Sequence, residues 1–495
     1  MLLAGCTNLD EQIYSKISKE NFFTTEEQFV KYSARAYSSL QHWGTEKSLW
    51  TFVIQNTNEV CVPVNPNGGW WDDGRYNEVH THSISSSNRL LEMAWEYWAN
   101  GVTACNDVLD MFESVEKDFD AKARVIAEIK VLRAYYYLCA MDNWAYVPYS
   151  VSKKDKGLPE KKDRAFLFSF IEKEITDNID KLQVDPTSDY YGRITRGAAD
   201  AILAKLYLNA EKWIGKPMWK EAEAACNDII SGGKYRLANK YKDNFVVNNE
   251  NSPEQIFAIP YSTVYTTSDH NAFIIYMSTL PADLCGPFGI NAQAWDGLCG
   301  EPDFLASYDP ADTRKKDTWL FGQMYDKDGN PVEYAEGVPY IIDPDMPESV
   351  YGKDVRREAL QGARIGKWTY QSDGRLTGGQ VGMDNDFFLI RYADVVLMYV
   401  EALVRQNRAG EAAEVADFKA IRRRAGLQPM TAADLTLDNL YWERAHELAI
   451  EGWSRQDMIR FDKFLEAWWA KPAKDASDLT LPIPKTAIAA NPNLK

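Results

Sequence analysis

Two adjacent tryptophans, Trp70 and Trp71, lie among glycines and charged residues in segment 67–76. Neighbouring side chains on an extended chain face opposite sides, so the two rings are not easily buried together and one should be exposed. A flat ring with a polar edge can stack on a sugar face, while nearby charged groups hydrogen-bond hydroxyls. The alternative is that either ring packs the loop against the scaffold. The predicted ligand-binding residues here are Asn67, Trp70, Trp71, Asp72, Asp73, Arg75 and Tyr76.

Segment 291–297 repeats this combination of a tryptophan, an acidic residue and a glycine. Trp295 and Asp296 are therefore further candidates for ligand contact. Trp43, at the end of the first predicted helix, could line the same face. Trp319 and Trp368 are weaker candidates.

Catalytic motifs are absent from the sequence. It has no GxSxG elbow, HExxH helix, phosphate-binding loop or GxGxxG turn. His80 and His82 would share one face of a strand and could bind a metal, but no third ligand is evident, so loop histidines are favoured. Acidic pairs such as Asp384 and Asp386 could serve a glycosidase, yet carboxylates are too common here to indicate one. The sequence predicts no catalytic residue, metal site or cofactor.

The overall charge argues against several partners. The chain of 495 residues carries a formal net charge of -17, which repels phosphate backbones and makes nucleic acid an unfavourable partner. Its basic residues are scattered, which gives no cluster suited to a membrane surface. Hydrophobic residues make up 45% of the chain, enough for a large core.

Helical periodicity dominates the chain. Apolar residues at alternating spacings of three and four predict a helix over residues 25–41, which begins at Thr25. The same pattern predicts further helices from Arg89, from Val125 and near 164–183. Residues 196–214 with 218–231, and 388–407 with 411–424, then form two helix pairs of about 35 residues, the period of tetratricopeptide repeats. The predicted helix pairs and further helices are 25–41, 89–112, 125–139, 164–183, 196–214, 218–231, 388–407, 411–424 and 435–468.

The periodicity disappears between residues 235 and 385. This stretch is rich in Gly, Pro, Asp and Tyr, and its short β-like runs include 255–260 and 273–277. A long irregular stretch within a compact protein usually carries function. We therefore predict a mainly α fold, in which a tetratricopeptide-like scaffold carries a large loop-rich insertion.

The N-terminal residues Leu3-Ala4-Gly5-Cys6 have the form of a bacterial lipobox. We expect residues 1–6 to be the remnant of a signal ending at Cys6, which would be acylated and would anchor the protein. Cys285 and Cys299 bracket a Gly-rich loop and could form a bridge in an oxidising compartment.

Several blocks together resemble the SusD/RagB family of outer-membrane nutrient-binding lipoproteins. Residues 145 and 146 are Ala-Tyr where the family usually has Gly-Asp, a minor departure. The blocks are in the family's order and span nearly the whole chain. They are residues 20–27 (ENFFTTEE), 132–137 (LRAYYY) with 143–148, 196–208, 390–402 (IRYADVVLMYVEA), 422–427, 443–460, 481–484 (LPIP) and 491–494 (NPNL).

The resemblance implies a tetratricopeptide-like helical core and glycan capture without cleavage. The partner that it implies is a SusC-like TonB-dependent outer-membrane transporter, with the chain held at the cell surface by its lipid anchor. Charged residues within the blocks are expected to form buried ion pairs rather than a site, because unpaired burial would be costly. These residues are Arg391, Asp394, Glu401, Arg444 and Glu451.

The expected organisation follows from these assignments. The expected segments are a signal remnant (1–6), a tether and lead-in (7–24), an N-terminal helical part (25–234), a loop-rich ligand-binding elaboration (235–385) and a C-terminal helical part (386–495). Two other functions stay open at this point: uptake of a peptide or protein by the same architecture, and glycoside hydrolysis.

Overall fold

A computed structural model of the chain is helix-rich, and the strands of its described residues form small two-stranded sheets. It describes residues 23, 25–43, 49–116, 118, 121–266, 272–372, 374–377 and 380–495. The mainly α class is confirmed. The α-helices are α1 (Glu26–Tyr37), α2 (Leu49–Gln55), α3 (Arg75–His80), α4 (Arg89–Glu113), α5 (Lys122–Asn143), α6 (Arg164–Thr176), α7 (Arg196–Leu208), α8 (Ala210–Ile214), α9 (Trp219–Gly232), α10 (Ile275–Thr279), α11 (Ala282–Cys285), α12 (Pro302–Ala306), α13 (Arg314–Thr318), α14 (Tyr392–Arg405), α15 (Ala409–Glu414), α16 (Ala416–Arg424), α17 (Leu437–Glu447), α18 (Ser454–Arg460) and α19 (Lys485–Ala490).

The strands pair antiparallel, two at a time. The pairs are β1 (Val60–Cys61) with β5 (Cys299–Gly300), β2 (Tyr146–Pro148) with β3 (Lys161–Asp163), β4 (Gln255–Ile259) with β14 (Phe387–Arg391), β6 (Trp319–Leu320) with β11 (Arg364–Ile365), β7 (Gly322–Gln323) with β10 (Ile341–Ile342), β8 (Glu333–Ala335) with β9 (Val338–Pro339), and β12 (Arg375–Thr377) with β13 (Gln380–Gly382).

Side-chain caps set the starts of the main scaffold helices. The Thr25 hydroxyl accepts a hydrogen bond from the backbone N–H of Gln28, and the Gln28 side-chain oxygen accepts one from the backbone N–H of Thr25. The two bonds form a capping box at the start of α1. Asn88, Asp163 and Thr195 cap α4, α6 and α7 in the same way through one backbone N–H each. These residues satisfy amides that a helix leaves without an internal partner.

Both predicted helix pairs are present. Helix α7 packs against α9, and α9 packs against α14, so the two pairs share one helical layer. The first four residues of the predicted helix 388–407 are not helical, because they form the end of β14, which pairs with β4. Within residues 435–468, the helices are limited to α17 and α18.

The loop-rich region follows the prediction in part. Residues 255–259 form β4 as expected. The prediction of a β-like run at 273–277 is wrong beyond its first residue, because Phe273 makes only an isolated bridge to Met383 and α10 begins at Ile275. The same apolar sequence suits a buried helix turn as well as a buried strand, and periodicity cannot separate them over so few residues.

Buried ion pairs join the C-terminal helices to the scaffold, as the sequence predicts. The Arg391 guanidinium contacts Glu254, Glu447 and Glu451 at 2.8–3.0 Å, and all four side chains are almost fully buried. Burial alone would raise the pKa of Glu447, but the neighbouring Arg424, Arg391 and Arg314 hold it far below its usual range.

A second network links α7, α14, α17 and α18. Asp394 contacts Lys205 at 2.5 Å and Arg444 at 3.0 Å, and Glu401 contacts Arg460 at 2.7 Å. Each of these charges has an oppositely charged partner, which lowers the cost of burying it in a core. These networks fix how the helices cross, and the helices in turn support the loops on their surface.

Candidate ligand-binding site

The loop that contains Trp70 and Trp71 is organised by one buried asparagine. The Asn65 side-chain oxygen accepts from the backbone N–H of Asn67 at 3.1 Å and of Gly69 at 2.8 Å. The Asn65 carbonyl also accepts from the Gly68 N–H at 2.9 Å. An asparagine side chain that binds backbone amides a few residues ahead holds a turn closed. We call residues 65–76 the aromatic loop.

The backbone of the aromatic loop is strained. Trp70, Asp72 and Asp73 have φ values of 74°, 43° and 58°, in the left-handed region that non-glycine residues rarely occupy. Asp296, in the second predicted segment, has a φ of 53°. Each such residue costs about 1–3 kcal/mol and persists only where surrounding contacts enforce it, which is common at functional sites.

The structure brings the two predicted segments together. The Trp70 indole Nε1 donates to the Trp295 carbonyl at 2.7 Å, although the residues are 225 positions apart. Their rings lie 6.5 Å apart at an interplanar angle of 47°. Gly297 lies directly under Trp70, because a Cβ there would be 2.2 Å from the ring. Trp70 and Trp295 are both half-buried, so each keeps part of its ring accessible.

The Trp295 segment is itself held by backbone hydrogen bonds. The N–H groups of Trp295 and Gly297 donate to Met277 and Ser278 at 2.6 and 2.9 Å. This fixes the carbonyl that receives the Trp70 indole and the Asn65 side-chain amide, the latter at 3.4 Å.

Trp71 and the charged residues after it form the outer part of the loop. The half-buried Trp71 ring lies across Gly74, where a Cβ would be 3.1 Å from it. The Asp73 side chain is 99% exposed and lies 3.8 Å from Arg75, whose Nε also donates to the Asp72 carbonyl at 2.7 Å. Asn67 and Asp72 are exposed as well. Exposed polar groups thus surround partly exposed rings.

The Asp296 carboxylate, which we expected to contact a ligand, lies in an ion pair instead. Its carboxylate is only 16% exposed and pairs with two fully buried guanidinium groups, those of Arg357 and Arg364. Arg357 also donates to the Asp296 carbonyl at 3.0 Å. These contacts occupy the carboxylate, so Asp296 positions the Trp295 segment instead of presenting a free acceptor.

Two other predicted contact residues lie in the core. Trp43 stacks on Phe387 with centroids 5.4 Å apart, and its Nε1 donates to the Tyr97 hydroxyl at 3.0 Å. Tyr76 is 2% exposed and packs beneath Trp70 at 5.5 Å. Packing covers both rings, so the structure gives neither of them the open face that the sequence led us to expect. Trp319 and Trp368 are buried as well.

Sequence reasoning missed three supporting residues. Asn65 precedes a Pro-Asn-Gly-Gly run, and such a position is a recognisable signal for a turn. Arg357 and Arg364 gave no signal, because nothing in the sequence shows that they reach Asp296. The exposed Arg356 also lies beside the loop, and its Nη1 donates to the Pro66 carbonyl at 3.3 Å.

The acidic and histidine pairs do not form an open reactive centre. Asp384 accepts from the Thr263 N–H at 2.7 Å, and burial raises the pKa of Asp386 to about 7 while Tyr191 and the Tyr261 N–H donate to it. His80 and His82 are buried, and burial lowers their pKa values. Within the described ranges, no group of three His, Cys, Asp or Glu side chains is arranged to hold a metal ion.

Nothing in the described part of the chain resembles a membrane-spanning helix. The expected acylation site, Cys6, and the expected tether through residue 22 lie outside the described residues, as does residue 24.

Comparison with known proteins identifies the architecture. A model described as the SusD family matches residues 221–495, more than half of the chain. A model described as starch-binding and associating with the outer membrane matches residues 8–208. Among curated proteins, the starch-binding protein SusD of Bacteroides thetaiotaomicron is 24% identical, and the alignment covers 86% of this chain and 81% of that protein. A SusD-like protein of Bacteroides ovatus is 23% identical, with 94% and 81% covered.

Solved structures share the fold. Surface glycan-binding protein A from Bacteroides thetaiotaomicron, solved with laminarihexaose, has a TM-score of 0.75 at 19% identity, with 95% of this chain and 99% of that chain covered. A laminarin-binding SusD-like protein has a TM-score of 0.74 at 21% identity, with 94% and 97% covered. With the family model covering more than half of its length, the chain belongs to the SusD family.

Proposed function

We propose that this protein binds a glycan at the surface formed by Trp70, Trp71 and Trp295, and that it does so without cleaving it. The observation that carries the proposal is the contact between Trp70 and Trp295, which places partly exposed indole rings side by side on a strained, well-supported backbone. Paired rings at an angle suit successive sugar units, whose faces are apolar and whose edges carry hydroxyls.

Polar groups at the rim support the same function. Asn67, Asp72 and Asp73 are exposed around the rings and can accept or donate hydrogen bonds to hydroxyls. A relative described as starch-binding aligns with 86% of this chain, and structures described with laminarihexaose or laminarin share its fold. These likenesses make neutral glucans the first ligands to test.

Binding should be measured by calorimetry against starch-derived and laminarin-derived oligosaccharides, followed by a wider polysaccharide panel. We expect saturable binding to one class and about a tenfold or greater loss in the W70A/W71A variant, since about 1.4 kcal/mol of lost contact corresponds to tenfold. Tyr265→Ala is the matched control, because that ring is 85% exposed and lies outside the aromatic loop. Equal affinity of the two variants would reject this surface.

The absence of cleavage is tested on the same samples. Incubation with the bound polysaccharide should produce no new reducing ends, whereas their appearance would favour a glycoside hydrolase. Binding of peptides with no response to any glycan would instead favour the alternative of peptide uptake.

We further propose that the protein is anchored through Cys6 at the cell surface and hands its ligand to a SusC-like TonB-dependent transporter. The family model that describes outer-membrane association supports this location. Cys6→Ala should release the protein from the membrane fraction, and affinity purification of the wild type from mildly solubilised outer membranes should recover the transporter. Retention of the variant in the membrane would refute the anchor, and loss of the transporter at every detergent strength would refute the partnership.

A further inference from the structure

Cys61 and Cys299 face each other across the antiparallel pair β1–β5. Directly opposed residues of such a pair project to the same side of the sheet, with Cα atoms about 4.5–5.5 Å apart. Disulfides span Cα separations of about 4.4–6.8 Å, so the backbone need not move to join them. We propose that these two residues form a disulfide in the mature protein, which ties the aromatic loop to the segment that contains Trp295.

The surroundings of the two thiols fit such a bond. Both are buried in a small apolar cluster with Met346, Val350 and Trp469. Burial and then the nearby Cys299 raise the pKa of the Cys61 thiol. A disulfide removes two buried polar S–H groups and replaces them with an apolar link.

The structure shows both residues as thiols, and the Cys299 sulfur has contacts of its own. It lies against Gly362, where a Cβ would be 2.8 Å from it, and accepts a hydrogen bond from Arg364 at 3.4 Å. Formation of the bond requires the Cys299 sulfur to leave these contacts by rotation about the Cα–Cβ bond. Arg364 keeps its bond to the Gln361 carbonyl at 3.0 Å and its contact with Asp296 after that rotation.

Cys285, the partner for Cys299 considered on sequence grounds, has no comparable place. Its sulfur lies 3.9 Å from the Pro281 carbonyl at the end of the short helix α11, outside the β1–β5 pair. The remaining described cysteines lie on helices α4, α5 and α9. Within the described part of the chain, the pair Cys61 and Cys299 alone stands in strand register.

The chemistry requires a disulfide oxidant, such as oxidised glutathione or a periplasmic disulfide donor. The thiolate of Cys299 attacks one sulfur of the oxidant and releases the other as a thiolate. The Cys61 thiol then loses its proton and attacks the Cys299 sulfur, which releases the second thiolate of the oxidant. Two protein thiols are oxidised and one oxidant disulfide is reduced to two thiols. Because both sulfurs are buried in the finished fold, this exchange takes place while the chain folds.

The bond has a mechanical consequence for the site. β1 ends four residues before Asn65, which closes the aromatic loop, and β5 begins three residues after Asp296. A covalent link between these strands closes a very long loop of chain and restricts the unfolded state accordingly. The inference draws on the proposed cell-surface location only for its oxidant, because disulfides persist in such compartments.

The test is a cysteine map of the full chain. Protein refolded in a mixture of reduced and oxidised glutathione is denatured without reductant, alkylated with iodoacetamide, digested and analysed by mass spectrometry. We expect the peptides of Cys61 and Cys299 to appear as one linked species that separates on reduction. The cysteines on α4, α5, α9 and α11 should be alkylated and serve as internal controls. Alkylated Cys61 and Cys299, or a link from Cys299 to Cys285, would overturn the proposal.

A variant separates the bond from its surroundings. Reductant should lower the Tm of the wild type and leave the Tm of Cys61→Ser unchanged, since the variant has no bond to lose. An equal response of both proteins would also overturn the proposal. If Cys61→Ser does not fold, the wild-type map decides the question. Glycan affinity plays no part in this assay, so its outcome is independent of the proposed ligand.

Discussion

Gly297→Ala is the sharpest probe of the candidate site, because the new methyl group touches Trp70 and no expected ligand. A Cβ at this position would lie 2.2 Å from Cε2 of Trp70 and 2.5 Å from Cδ2 and Cζ2. Ordinary carbon contacts are about 3.5–4.0 Å, so the ring must retreat by about 1.3–1.8 Å. Gly297 is not among the residues with positive φ, and alanine therefore fits its backbone.

Two costs follow from that displacement. The Trp70 indole loses its 2.7 Å hydrogen bond to the Trp295 carbonyl, which is worth about 0.5–1.5 kcal/mol. Crowding of a packed position costs about 1–3 kcal/mol in addition, in proportion to how far the ring fails to relax. The relative orientation of Trp70 and Trp295 also changes, so we expect glycan affinity to fall by about tenfold, equivalent to about 1.4 kcal/mol.

Calorimetry and thermal melting should be measured together, with Gly101→Ala as the matched control. A Cβ at Gly101 would lie 2.4 Å from the Tyr136 ring in the helical scaffold, so it imposes similar crowding away from the aromatic loop. We expect both variants to lower the Tm and only Gly297→Ala to weaken binding. If Gly297→Ala loses stability and keeps full affinity, Trp70 does not contribute to the ligand surface.

Two further predictions concern the scaffold. Glu447→Gln removes the negative charge that Arg391, Arg424 and Arg314 share, and it should lower the free energy of unfolding by about 3–5 kcal/mol. Urea unfolding should show this loss with an unchanged m-value, and the Tm should fall. A loss of less than about 1 kcal/mol in the free energy of unfolding would show that the network is redundant. Burial raises the pKa of Glu59 to about 8 in the folded protein, above an unfolded value of about 4.3. The stability that protonated Glu59 contributes is therefore complete below about pH 4.3 and is lost as the pH rises through about 8. Glu59→Gln should flatten this decline, and parallel pH–stability curves for variant and wild type would contradict the assignment.

Periodicity was sufficient to predict most of the longer scaffold helices, and side-chain caps explain where they begin. Helix α4 begins where Asn88 caps it, and α7 begins after Thr195, because these local hydrogen bonds act within a few residues. The first residues of the predicted helix 388–407 are a strand instead, because a distant contact rather than a local one decides their structure. Phe387–Arg391 is apolar enough for either structure, and the distant partner β4 decides in favour of a strand.

The site was predictable in composition but not in arrangement. Trp70 and Trp295 were recognisable as candidates, yet their contact depends on the path of the chain between them. The burial of Trp43 was not predictable, because the sequence around a ring at the end of a helix is the same whether the ring contacts solvent or Phe387. The ion pairing of Asp296 was not predictable, because its partners, Arg357 and Arg364, are more than 60 residues away in the sequence.

Strain and support together explain why this loop can serve as a preformed surface. Left-handed backbone at Trp70, Asp72 and Asp73 costs about 1–3 kcal/mol for each residue, and a free loop would relax from it. The Asn65 side chain, the Trp295 carbonyl and the buried ion pair of Asp296 hold it instead. The energy is therefore provided by folding, before any ligand arrives. A glycan that meets rings already fixed in position has less side-chain freedom to remove, and more of its contact energy remains as affinity.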